Sequence, residues 1–162
     1  MYNNLMNRFR WGNASDPDVY LDEVNRRMFN NFRRMFGRLA TVLAVEGDFT
    51  RATRVLERCE ELIPAEKVPH NYYSISLLEA YFAAGYPDKA FELADHLVST
   101  SVGYLEYISG LDKLRQYGLD IIIAMNLESL RGTYSVAIDY NQIEMVGDLE
   151  IVLDKYFKIF YN

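Results

Sequence analysis

Few residues in this sequence have the types and spacing that catalysis or metal binding requires. The 162 residues include one cysteine, Cys59, and two histidines, His70 and His96, without an H-E-x-x-H pattern near either. A single cysteine can form neither an intrachain disulfide nor a cysteine-based zinc site. No glycine-rich segment has the spacing of a phosphate-binding loop. We therefore predict no catalytic residue, no cofactor site and no metal site.

Glutamates and the cysteine share one predicted helix. Glu57 and Glu61 lie one helical turn apart, where ion pairs with Arg54 or Arg58 are the ordinary arrangement. The paired carboxylates of a glycosidase flank a cleft instead of following one helix face. Cys59 falls among the apolar residues of the same helix, which favours a small core residue over a nucleophile. This pattern is typical of a domain that is not itself an enzyme.

The elements that position these residues are all helical, because apolar residues recur at steps of three and four and never alternate for long. The predicted helices cover about residues 2–9, 22–46, 50–63, 71–84, 88–98, 104–114, 119–140 and 143–160. The apolar positions that predict their buried faces include Met28, Val42, Ala52, Val55, Leu56, Cys59, Leu62, Ile63, Ile122, Met125 and Ile138. A polar break at residues 99–101 separates the fourth helix from the fifth. The chain therefore divides into an N-terminal helix and loop (1–21), two helix hairpins (22–98), and a divergent hairpin with a C-terminal cap (99–162). We expect one domain for the whole chain.

The two central hairpins match each other at an offset of 38 residues. Gly47 corresponds to Gly85, and Ala52 corresponds to Ala90. This pattern resembles the tetratricopeptide repeat, a helix–turn–helix of 34 residues, with about four extra residues around 66–69. The predicted fold is all-α: tetratricopeptide-like antiparallel helix hairpins in a short right-handed superhelix with capping helices.

The resemblance to tetratricopeptide arrays implies a peptide-binding face on the first helix of each hairpin, since those helices line the inner surface of such arrays. The positions that fall there are Arg34, Thr41, Tyr72, Ile75, Glu79 and Phe82. Arginine and aromatic residues are enriched where proteins bind one another. The alternative is that the tyrosine rings only pack between helices and keep their hydroxyls in water.

Charge and composition exclude several classes of protein. Residues 1–58 carry ten arginines and seven acidic residues, a charge of +3, whereas residues 59–162 carry seven basic and sixteen acidic residues, a charge of −9. The net charge of −6 argues against nucleic acid as the main partner. The 13 Tyr, 9 Phe and 1 Trp argue against disorder. No apolar run is long enough to span a membrane and no signal peptide is evident, so these features alone predict a cytoplasmic protein.

Several sequence blocks carry a closer resemblance. They are Tyr2-Asn-Asn-Leu-Met-Asn-Arg-Phe-Arg-Trp-Gly12, Val19-Tyr-Leu-Asp22, Arg26-Arg-Met-Phe-Asn-Asn-Phe-Arg-Arg-Met-Phe-Gly-Arg-Leu-Ala40, Leu56-Glu-Arg-Cys-Glu-Glu-Leu-Ile-Pro64 and Val68-Pro69. In these blocks the chain resembles the C-terminal soluble region of a bacterial family of large polytopic membrane proteins, whose membrane part is similar to protein O-mannosyltransferases. The resemblance implies that Met1 is an internal or cloned start. It also implies a location on the periplasmic face of the inner membrane, with any transferase chemistry in the preceding membrane part.

We therefore expect a non-catalytic protein-interaction or scaffold domain, attached to a membrane glycosyltransferase-like protein. Its expected partner is a protein or peptide, which includes the membrane part of the same protein. The basic first third of the chain could also be attracted to an anionic membrane surface. The alternative function is a free-standing cytoplasmic tetratricopeptide-repeat adaptor.

Overall fold

The computed structural model describes residues 2–161, and these residues form helices and loops without a strand. The prediction of an all-α protein is confirmed. The helices are α1 (Glu23–Val45), α2 (Phe49–Leu62), α3 (Ile75–Ala83), α4 (Pro87–Ser109), α5 (Lys113–Gln116), α6 (Asp120–Asp139) and α7 (Ile143–Tyr161). A π-helical turn covers Asn4–Arg8, and a 3₁₀ turn covers Tyr72–Ser74. None of the described helices is both long and apolar enough to cross a bilayer.

The chain forms two compact units, Met1–Phe91 and Glu92–Asn162. The division falls inside α4. The first unit contains α1, α2, α3 and the beginning of α4, together with every residue of the predicted peptide-binding face.

Capping residues begin α1 and α2. The Asp22 carboxylate accepts a hydrogen bond from the backbone N–H of Asn25 at 2.7 Å. The Asp48 carboxylate accepts one from the backbone N–H of Arg51 at 3.0 Å. Each cap satisfies a donor that the first turn of a helix leaves without a partner, which is why both helices begin where the sequence places them.

The two central hairpins turn in the same way. Gly47 and Gly85 adopt positive φ values of 82° and 81°, which glycine tolerates because it has no Cβ. In the first hairpin, the backbone N–H of Asp48 donates to the carbonyl of Leu43 at 2.8 Å. In the second, the backbone N–H of Tyr86 donates to the carbonyl of Tyr81 at 2.8 Å. The two glycines, the two donors and the two acceptors are each 38 residues apart, so the internal match of the sequence extends to the backbone geometry of the turn.

The buried surface of α1 is displaced from the predicted one. Met28 and Val42 were expected in the core but are exposed. Phe29, Asn30 and Arg33 are buried instead, because α1 packs against α2, α3 and the 3₁₀ turn and so is covered on more than one side. For α2, which has one apolar face, all six residues predicted to be buried are buried. They are Ala52, Val55, Leu56, Cys59, Leu62 and, directly after the helix, Ile63.

Arg33 is the largest fully buried side chain of the described residues, and it has no carboxylate partner. One terminal nitrogen, Nη1, donates to Asn30 Oδ1 at 3.0 Å and to the carbonyl of Pro69 at 3.3 Å. The other, Nη2, donates to the carbonyls of Ile63 at 3.0 Å and Val68 at 2.6 Å. Burial lowers the pKa of Arg33, but a guanidinium stays protonated in proteins. Arg33 therefore caps the C-terminal end of α2 through Ile63 and fixes the connector after α2 through Val68 and Pro69.

The same connector holds the N-terminal loop. Lys67 Nζ donates to the carbonyls of Pro17 at 2.9 Å and Val19 at 2.5 Å. The position of residues 17–19 thus depends on a connector that Arg33 organises from inside the core.

A polar cluster connects three helices of the first unit. Tyr81 on α3 is buried, and its hydroxyl donates to the Glu60 carboxylate on α2. Lys89, in the first turn of α4, donates to the same carboxylate at 2.7 Å. Burial and the hydrogen bond to Glu60 both raise the pKa of Tyr81, so the phenol stays neutral and acts as a donor. These contacts tie α2, α3 and the start of α4 together.

In the second unit, the predicted break at residues 99–101 is wrong, because α4 continues through it. The Ser99 hydroxyl donates to the carbonyl of His96 at 3.2 Å, so this polar side chain finds an acceptor within the helix itself. Ser101 is buried, and the buried positions continue through it to Leu105. A short polar run therefore does not end a helix whose apolar periodicity is unbroken.

The core of the second unit lies between α4, α6 and α7. It consists of Leu105, Ile108, Ile123, Leu127, Leu130, Leu149 and Tyr156. Ile122, Met125 and Ile138 were expected to face it but are exposed, because α6 is apolar around much of its circumference and periodicity does not select one face. Leu114 and Tyr117 are 86% and 90% exposed, so the unit presents apolar side chains to solvent around α5.

Replacing Arg33 tests the role of its buried guanidinium. Arg33→Met keeps the apolar stem but leaves the carbonyls of Ile63 and Val68 without their donor, and we expect the free energy of unfolding to fall by about 3 kcal/mol. Urea unfolding followed by the emission of Trp11, the chain's single tryptophan, reports this unit. The exposed Arg38→Met variant should change stability by less than about 0.5 kcal/mol. Equal midpoints for the two variants would contradict the role.

Candidate functional site

The structure places the six residues of the predicted face on two neighbouring helices and on the turn that directly precedes the second of them. Arg34 and Thr41 lie on α1, Tyr72 lies in the 3₁₀ turn, and Ile75, Glu79 and Phe82 lie on α3. Arg34 is exposed and the other five are partly buried. Because α1 packs against both the turn and α3, the two sets of residues come from adjacent elements.

Arg34 and Tyr72 are linked through a third residue, Tyr73. The guanidinium carbon of Arg34 lies 5.5 Å from the centroid of the Tyr73 ring, within the range of a cation–π contact. The Tyr73 ring lies 4.0 Å from that of Tyr72 at an interplanar angle of 39°. The pKa of Tyr72 is raised to about 12, mainly by partial burial and secondly by its hydrogen bond with Tyr73. Its phenol is therefore neutral at physiological pH. Arg34, Tyr73 and Tyr72 are called the Arg–Tyr surface below.

The other predicted residues have local partners. The Thr41 hydroxyl donates to the carbonyl of Gly37 one turn earlier, at 3.2 Å. Phe82 meets Phe91 edge to face, with ring centroids 5.6 Å apart. Phe82 thus packs toward the beginning of α4, and the Thr41 hydroxyl is used within α1. Of the six residues, Arg34 and Tyr72 are the pair that the structure links into one polar and aromatic surface.

A close approach of α1 and α3 positions this surface. A Cβ on Gly37 would lie 2.5 Å from the backbone carbon and oxygen of Ser76, which is closer than atoms can pack. Gly37 lies one turn after Arg34, and Ser76 lies one turn after Tyr72 and Tyr73, so the crossing point sets the distance between them. The tetratricopeptide pattern predicts Ala40 as the small residue that lets neighbouring helices approach, and it does not single out Gly37. The signal for it was a glycine in the middle of a long helix.

The residues considered for chemistry have structural partners. Cys59 is buried, and burial raises the pKa of its thiol to about 12. Arg58 Nη1 pairs with Glu61 at 2.7 Å, as the helical spacing predicted. His70 Nδ1 lies 2.9 Å from the Ser74 hydroxyl. Within residues 2–161, no group of three or more His, Cys, Asp or Glu side chains is arranged to hold a metal ion.

Adding a methyl group at Gly37 tests the crossing. Gly37→Ala forces α1 and α3 apart, and we expect it to lower the free energy of unfolding by about 1–3 kcal/mol. Gly103→Ala is the control, because Gly103 also lies inside a helix but has open space around its Cβ position. There the change should raise stability by about 0.5–1 kcal/mol. Urea unfolding followed by circular dichroism at 222 nm measures both, and a stabilised Gly37→Ala variant would refute the tight crossing.

Comparison with known proteins does not identify a family for this chain. The chain matches no family model, no curated protein and no solved structure. The tetratricopeptide-like arrangement and the resemblance to a membrane transferase-like family therefore stay predictions. The site is described by its own contacts alone.

Proposed function

We propose that this chain is a non-catalytic protein-interaction domain that binds a polypeptide on the Arg–Tyr surface. The observation that carries the proposal is the arrangement of the Arg34 guanidinium over the Tyr73 ring, which is in tilted contact with the Tyr72 ring. Tyrosine and arginine are the residue types that most often dominate binding energy at protein interfaces. Rings and guanidinium already contact each other in the unbound chain, which reduces the entropy lost on binding.

The chemistry of the surface favours a partner with both acceptors and apolar groups. Arg34 is exposed and can donate to a carboxylate or a backbone carbonyl. The Tyr72 and Tyr73 rings offer apolar area, and Ile75 extends it along α3. The partner we propose is therefore a peptide segment in which an acidic residue lies near an apolar one.

We also propose that the first unit is arranged as tetratricopeptide-like hairpins. Support comes from the equal backbone geometry at Gly47 and Gly85, and from the packing of α1 against both α2 and α3. In such an arrangement α1 and α3 are the first helices of successive hairpins, which is where the Arg–Tyr surface lies.

The parent protein we propose is a membrane glycosyltransferase-like protein, with this domain on the periplasmic face of the membrane. Support comes from the sequence blocks that resemble that family. Exposed Leu114 and Tyr117 in the second unit are apolar side chains that another part of the same protein or a partner would cover. Attraction of the basic first third to anionic lipid belongs to the same proposal. A free-standing cytoplasmic adaptor would use the same Arg–Tyr surface.

Variants of the surface test the binding proposal. The immobilised chain is incubated with an envelope extract, and retained proteins are quantified by mass spectrometry. We expect a specific partner whose recovery falls by about tenfold or more with Arg34→Glu and with Tyr72→Ala. Arg54→Glu, which makes the same charge change at an exposed position on α2, should retain it. Unchanged recovery with both surface variants would remove the Arg–Tyr surface from the proposal.

The size and location of the native protein test the parent. An antiserum against this chain should detect, in cells of the source organism, a membrane-fraction protein much larger than the 18.9 kDa of these residues. Its epitope should become sensitive to protease once the outer membrane is opened. A soluble protein of about the chain's own mass, protected until the cytoplasm is released, would favour the free-standing adaptor instead.

A further inference from the structure

A cavity of about 480 Å³ lies between the N-terminal segment and the first half of α1. The rings of Phe9, Trp11 and Phe32 line it. Trp11 and Phe32 meet edge to face with centroids 5.0 Å apart, and Phe9 and Phe32 do so at 5.7 Å. This volume lies within the range of about 300–1,000 Å³ that is typical of ligand-binding pockets.

The polar groups of this aromatic pocket are mainly hydrogen-bond donors. The indole Nε1–H of Trp11 is buried and has no acceptor among the described residues. Arg10 is the one charged residue among those described as lining the pocket, and it forms no ion pair within residues 2–161. Asn25, whose amide both donates and accepts, also lines it. The pocket therefore lacks an acceptor for its buried donor and an anion for its cation.

We propose that the aromatic pocket binds the carboxyl-terminal residue of a polypeptide. The apolar side chain of that residue lies among the rings, and its carboxylate accepts from Arg10 and Trp11 Nε1. The Asn25 amide lines the pocket and supplies a donor and an acceptor for the peptide backbone. Tyr20, which is 82% exposed, borders the pocket at the solvent, where the rest of the peptide would leave it. Charge complementarity selects this occupant over a neutral or cationic one.

This pocket is separate from the Arg–Tyr surface. Phe32 and Arg34 are two residues apart on α1, which places their side chains about 200° apart around the helix. The two sites therefore face opposite sides of the same helix, and neither proposal depends on the other.

The single tryptophan makes the pocket directly measurable. Three pentapeptides serve as probes: Gly-Ser-Gly-Ser-Leu with a free carboxylate, the same peptide with a C-terminal amide, and Gly-Ser-Gly-Ser-Ser with a free carboxylate. We expect the leucine acid to change the Trp11 emission saturably, and to bind about tenfold more tightly than either other peptide. Equal binding of acid and amide, or no saturable change at millimolar peptide, would overturn the proposal.

Two exposed arginines provide a matched pair of variants. Arg10→Gln should remove the preference for the acid over the amide, whereas Arg8→Gln, outside the pocket lining, should preserve it. Trp11→Phe, measured by calorimetry, should weaken binding of the acid by removing the donor and keeping a ring. An unchanged preference in Arg10→Gln would overturn the proposal. Binding of decanoate without binding of the leucine acid would overturn it too, since the occupant would then be a fatty acid.

Discussion

The buried guanidinium of Arg33 is the interaction on which the first unit depends. A charge in the core is costly unless its donors find acceptors, and both terminal nitrogens of Arg33 donate to backbone carbonyls from the end of α2 and the connector after it. Its Nε has no acceptor among the described residues. The connector in turn places Lys67 against the loop at residues 17–19. One buried cation thereby orders three segments, including the loop that borders the aromatic pocket.

The central position of α1 explains how one unit can carry two candidate sites. Gly37 allows α3 to approach closely on one side, and the crossing brings Tyr72 and Tyr73 beside Arg34. The rings of Trp11 and Phe32 meet on the other side. Successive arginines on α1 consequently have different roles: Arg33 is a structural cation inside the core, and Arg34 is an exposed donor. Three of the sequence blocks set out in the first subsection also contact one another, because Arg33 donates to the carbonyls of Ile63, Val68 and Pro69.

Sequence reasoning anticipated part of the candidate site. The resemblance to tetratricopeptide arrays predicts Arg34 and Tyr72 on one face, and in the structure Tyr73 contacts both of them. Tyr73 was missed as the linking residue, because a 3₁₀ turn at the start of the third helix shifts the register that an α-helix would have. The aromatic pocket was missed altogether, since Phe9 and Phe32 are far apart in the sequence and helical periodicity says nothing about contacts between a loop and a helix.

The residues alone were sufficient for the all-α class, the paired turns at Gly47 and Gly85, and the buried face of α2. Each of these follows from local hydrogen bonding or from apolar periodicity within one helix. Packing determined the rest. It buried Arg33, which composition alone would place at the surface, and it carried α4 through a polar run. These outcomes depend on which elements meet in space, and a one-dimensional pattern does not contain that information.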